Sequence, residues 1–157
     1  MKKILALFLM LTVMLTGAAL AEDGYDWYQY DDGFEIMIPS DWDQYEVPED
    51  AAAEGIFDIF ASADGAFVVQ VAWTALEAEV TMQELLPAYV EAYPDAEVIE
   101  INGIEFLGFT DVENESMCIC ALDGVEPGLY MFVFTGIASD EDVTIATNIA
   151  TSIRNIE

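Results

Sequence analysis

Histidine is absent from this chain and cations are scarce: of 157 residues, three are Lys or Arg, against 31 Asp and Glu. Lys2 and Lys3 stand at the start, so from residue 22 onward Arg154 is the sole basic side chain and the formal charge is −30. Without imidazole or amine, that portion cannot run a Ser-His-Asp or Cys-His mechanism, form a Schiff base or build an imidazole metal site. The Gly-x-Ser-x-Gly elbow, the Gly-x-x-x-x-Gly-Lys phosphate loop and the Gly-x-Gly-x-x-Gly fingerprint are missing as well, which argues against nucleotide binding. A surface this acidic has no Lys or Arg with which to displace counterions, so neither nucleic acid nor direct anionic-membrane binding is expected.

Long apolar runs are also few. One extends from Ile4 to Leu15 behind Lys2-Lys3 and leads through Thr16-Gly17 to Ala19-Leu20-Ala21, the order of a bacterial-type secretory signal peptide. Residues 1–21 are therefore expected to be a cleaved leader, with residues 22–157 a single domain secreted or held in the cell envelope. A membrane anchor would need about 20 consecutive apolar residues, and the residue directly after Ala21 is Glu22 rather than a cysteine that could accept a lipid. The hydrophobic share of 55% argues for folding in spite of the charge. Self-repulsion should make that fold more stable in salt.

Apolar alternation and turn residues predict an opening hairpin, Trp27–Tyr30 and Phe34–Ile38, stopped by Pro39. Glu46 to Glu54 reads as a loop or a short helix. Gly55–Ala61 and Phe67–Ala75 form a second predicted hairpin around Asp64-Gly65. Thr81-Met82-Gln83-Glu84 has capping-box spacing, and Leu85, Leu86, Tyr89, Val90 and Tyr93 follow at helical intervals, with Pro87 expected to bend the helix. Asn102-Gly103 joins Glu97–Ile101 to Ile104–Thr110, and with Ser116–Leu122 and Leu129–Gly136 a four-stranded meander is predicted. Ser139 caps a closing helix whose last turn is expected to hold Arg154.

The result is an α+β fold, a mostly antiparallel β-sheet flanked by helices. Phe34-Glu35-Ile36-Met37-Ile38-Pro39-Ser40-Asp41-Trp42, the central helix, Ile101-Asn102-Gly103-Ile104-Glu105-Phe106, Gly128-Leu129-Tyr130-Met131-Phe132-Val133-Phe134 and Ser152-Ile153 together resemble the PsbP-like superfamily. The resemblance spans nearly all of residues 22–157 and implies an α/β/α sandwich with a binding or accessory role rather than a reaction. Its motifs are structural, and they bring no catalytic residue or cofactor with them.

Three readings of function follow from the residues themselves. The first is an exported non-enzymatic accessory or binding domain with a protein or glycan partner, for which Tyr25, Trp27 and Tyr28 form a candidate surface where they are exposed. The second is an acidic calcium-binding protein, because calcium takes carboxylate oxygens and is plentiful outside cells. Asp23, Asp26, Asp31 and Asp32 make one candidate cluster and Asp111, Glu113 and Glu115 another, neither with EF-hand spacing. The third is a carboxylate-pair hydrolase, which needs two acids in one cleft with separated pKa values. Cys118 and Cys120 flank Ile119 in a predicted strand, so both thiols point to one face, as buried free thiols, a redox pair or a soft-metal site.

Overall fold

A computed structural model describes residues 24–30 and 34–155. The leader expected over residues 1–21 and the Asp31-Asp32-Gly33 turn lie outside the described residues. β1 (Tyr25–Gln29) and β2 (Phe34–Pro39) form the predicted antiparallel hairpin, with Tyr28 opposite Ile36. β3 (Asp43–Tyr45), β4 (Ile56–Ala61), β5 (Val68–Ala75), β6 (Glu97–Ile101), β7 (Ile104–Asp111), β8 (Ser116–Leu122) and β9 (Gly128–Thr135) build a second sheet. Its order is β3-β4-β5-β9-β8-β7-β6, antiparallel throughout, and β6 to β9 are the meander that the turn chemistry predicts. β3 has three exposed residues and no apolar alternation, so nothing in the sequence marks it.

The β6–β7 turn has both central residues at positive φ, Asn102 at 51° and Gly103 at 81°, as a type I′ turn requires. Asn102 does further work: its Nδ2 donates to the carbonyls of Thr151 (2.7 Å) and Ile153 (3.2 Å), tying the turn to the C-terminal segment. The outer edge of the large sheet on this side is β6, with Glu97 and Glu100 exposed and Glu105 of β7 directly opposite Glu100.

Among the described residues there are three helices: α1 (Glu49–Ala53), α2 (Met82–Ala92) and α3 (Asp140–Ser152). Complete capping boxes start the two longer ones. Thr81 Oγ1 accepts from the Glu84 amide while Glu84 reaches back to Thr81, and Ser139 and Asp142 do the same for α3. α2 runs on through Pro87, which is exposed. Arg154 corrects the sequence reading. α3 ends at Ser152 with no basic residue in its last turn, and Arg154 instead belongs to the short strand β10 (Arg154–Asn155), paired with β2.

The two faces of the large sheet bury different things. Toward one side point Val69, Val71, Phe106, Met117, Ile119, Tyr130, Phe132 and Phe134, packed against Phe34, Ile36 and Ile38 of β2 and Ala146, Ile149 and Ala150 of α3. Ser152 joins these layers, since its Oγ accepts from the Met37 amide (2.8 Å) and donates to the Ile149 carbonyl (2.6 Å). Toward the other side point Leu107, Phe109, Cys118, Cys120 and Leu129, under Met82 and the half-buried Leu85, Leu86 and Tyr89 of α2. The strict alternation Met117, Cys118, Ile119, Cys120, Ala121 along β8 shows how a period of two feeds both cores from one strand.

Candidate functional site

A helix about 10–12 Å across covers two or three strands spaced about 4.8 Å apart, so α2 cannot roof the whole of its sheet face. α2 lies over β6 and β7. Beyond it, Gln70 of β5 and Met131, Val133 and Thr135 of β9 remain partly open even though they belong to the middle strands. The step between helix and bare sheet is a cleft of about 500 Å³, walled by Tyr89, Tyr93 and Phe109, floored by Cys118, Met131 and Val133, and edged by polar Gln70, Asn114, Ser116 and Thr135.

The wall is rigid by packing. The Tyr93 and Phe109 rings stack with centroids 4.3 Å apart, and Tyr89 meets Phe109 at 5.2 Å. Burial pushes the Tyr89 hydroxyl up to about 12 and raises that of Tyr93, so both are neutral hydrogen-bonding groups at any physiological pH. Asp111 is the one acid lining the cleft, and its oxygens are already engaged. Oδ1 accepts from the Glu113 and Asn114 amides and Oδ2 from Asn114 Nδ2, a set that lowers its pKa, the Asn114 side chain first. In a chain with 31 acids, a cleft lined by a single carboxylate stands out from its surroundings.

The other sequence candidates fall elsewhere. Asp111, Glu113 and Glu115 do not gather: Asp111 closes its own turn, Glu113 and Glu115 are exposed, and no group of three His, Cys, Asp or Glu among the described residues could hold a metal ion. Asp26 is exposed on β1, while Asp23, Asp31 and Asp32 lie outside the described residues. Tyr25, Trp27 and Tyr28 are half-buried rather than a free aromatic surface. Tyr25 accepts from Asn148 Nδ2 (3.1 Å), Tyr28 meets Phe60 edge to face at 4.5 Å, and Trp27 lies 3.9 Å under the Arg154 guanidinium.

The buried carboxylates among the described residues, Glu35 and Asp58, are engaged by the protein itself and line neither cleft. Glu35 accepts from Gln29 and Arg154, and Asp58 from Tyr30, Gln44 and the Ile59 amide. A smaller cleft of about 260 Å³ beside Leu76, Glu79 and the 122–128 loop is similarly spoken for, because Asp123 accepts from Trp73 Nε1 and from the Val125 and Glu126 amides. Sequence reasoning placed Tyr89 and Tyr93 in the helix core but missed the cleft. The available signal was arithmetic: a single long helix between the second hairpin and the meander is too narrow for the face it must cover.

One seven-stranded sheet, closed by α3 and the small sheet on one side and by α2 on the other, defines an α/β/α sandwich. That sandwich is PsbP-like. The fold is similar to the cyanobacterial PsbP (CyanoP) of Synechocystis sp. PCC 6803, with a TM-score of 0.60, 15% identity, and coverage of 92% of this chain and 99% of that one. It is also similar to a protein of Bacteroides thetaiotaomicron VPI-5482 (TM-score 0.54, 13% identity, 85% of this chain), of which it spans 49%. No protein-family model and no curated protein matches the chain.

Proposed function

We propose that this chain is a non-enzymatic accessory or binding domain, exported by its leader, that works through the cleft beside α2. The observation that carries this reading is the composition of the cleft: an intensely acidic chain presents a concave, aromatic-walled hollow with amide and hydroxyl groups and a single carboxylate, Asp111, at its edge. Such a hollow suits an uncharged partner, a neutral glycan or an uncharged protein segment, because the surrounding field repels anions and no cation on the cleft offsets it. The thiol lining the cleft, Cys118, is kept protonated by burial, which supports a role in binding over catalysis.

The test is NMR mapping of residues 22–157 against neutral oligosaccharides and uncharged extended peptides. Saturable shifts confined to Gln70, Asn114, Met131 and Val133, weakened by Gln70→Ala, are expected with one of these classes. Shifts that saturate elsewhere, or none with either class, would reject the cleft as the working surface.

A further inference from the structure

The cleft beside α2 continues past its own rim. Directly opposed residues of antiparallel neighbours point to the same face of a sheet, and the register carries one such row from Phe109 through Cys118, Val133, Gln70 and Ile59 to Tyr45 on β3. The first four line the cleft, Ile59 is part open, and Tyr45 is 48% exposed. Gln44 fixes the orientation of β3: its amide reaches Asp58 (2.8 Å), the registered partner of Val71 on the α3 side, which leaves Tyr45 on the side of the cleft. From the Tyr93–Phe109 stack to Tyr45 there are five strand-to-strand steps, a band roughly 24 Å long at about 4.8 Å per step.

This band restricts what can lie in it. β8, β9, β5 and β4 each have a strand on both sides, so their backbone amides and carbonyls are engaged in the ladders and side chains alone face a ligand. Extended peptides are bound by adding to a sheet edge; laid across strands, a peptide would bury an N–H and a C=O about every 3.3 Å with few partners for them. A helix satisfies its own backbone, but its apolar face would cover Gln70 and Thr135 at the middle of the band. The Gln70 amide and the Thr135 and Tyr93 hydroxyls hydrogen-bond to no other group among the described residues, and they suit a ligand that both donates and accepts. Sugar rings have that chemistry: hydroxyls around the edge, apolar C–H faces that lie on aromatic and aliphatic side chains, and no charge for the acidic surroundings to repel.

We propose that the cleft and its extension to Tyr45 bind a linear, neutral oligosaccharide laid across the strands, with Tyr93 at one end, Gln70 at the middle and Tyr45 at the other. The proposal rests on the binding role given above and names its ligand class and reach: the cleft holds one end of the sugar chain, and the row through Ile59 holds the rest.

The experiment is calorimetric titration of residues 22–157, which hold every element of the fold, with neutral linear glucan, mannan and xylan oligosaccharides, each as the disaccharide and the hexasaccharide, at constant salt. For the class that binds, the hexasaccharide is expected to bind at least about 10-fold more tightly than the disaccharide. Tyr45→Ala, at a half-exposed position, should cost the hexasaccharide about 10-fold and the disaccharide nothing, whereas Gln70→Ala should weaken both by about 5-fold. Circular dichroism of each variant separates loss of the site from loss of the fold. Equal affinity for the two lengths, or a folded Tyr45→Ala chain that keeps the parent's affinity for the hexasaccharide, would overturn the extended band. If no saccharide binds while an uncharged extended peptide shifts the cleft resonances in NMR, the glycan is overturned and the binding role stands; if neither saccharide nor peptide binds, both fall.

Discussion

The two faces of the large sheet use the same strands for opposite purposes. On the α3 side, Phe132 and Phe134 are wholly buried under a helix and a second sheet; on the α2 side, Met131 and Val133 of the same strand are part open. One face is filled by aromatic rings that meet edge to face, such as Phe34 with Tyr130 at 5.3 Å, and the other by sulfur and a cleft. Full burial and partial exposure are thereby separated by a single peptide step along β9. Residues that face α3 hold the chain together, and in the proposed binding role their neighbours would be the ones to meet a ligand.

A pair of truncations one residue apart distinguishes the two faces by the largest margin. Phe132→Ala should cost about 3–5 kcal/mol in urea unfolding at constant salt, and Val133→Ala no more than about 1 kcal/mol. Similar costs would mean that both faces are packed alike. A smaller contrast comes from the helices. Ser152→Ala strands the buried Met37 amide and should cost about 1–3 kcal/mol, whereas Thr81→Ala removes an exposed cap from α2 and should cost about 1 kcal/mol.

The smallest effect is acid-dependent and belongs to the α3 side. Glu35 has its pKa lowered, by the Gln29 amide first and also by Arg154, so its contribution is present above the ordinary carboxylate value and is lost as pH falls through the lower folded value. Arg154 is half exposed, which limits the ion pair to less than about 1 kcal/mol. Glu35→Gln should erase that part of the acid-side loss when stability curves from pH 7 downward are subtracted. A difference curve that stays flat below pH 5 would remove Glu35 from the account.

Most of this architecture was legible because local signals agreed with one another. Asn102-Gly103, the two capping boxes and the alternation in β7 to β9 each specify backbone geometry within a few residues. What was not legible depends on distant partners. Arg154 reads as a helix-dipole cation from its spacing alone, but its guanidinium finds Glu35 and Trp27, more than a hundred residues earlier. The Tyr25, Trp27 and Tyr28 cluster resembles a surface until Phe60 and Asn148 are brought against it. The cleft exists only because strand order sets β5 beside β9, and no local pattern encodes that adjacency.

The border of the large sheet has a consequence for solubility. A free strand edge invites growth, since its unpaired amides and carbonyls can template another chain. Here one border is β6, which presents Glu97 and Glu100, and the other is β3, three residues long with Asp43 exposed. Two copies meeting along β6 would align carboxylates across the new seam and be driven apart at neutral pH, while β3 is too brief to seed a ladder. The acids that make this protein hard to read as a catalyst would also oppose its growth into fibres from either edge.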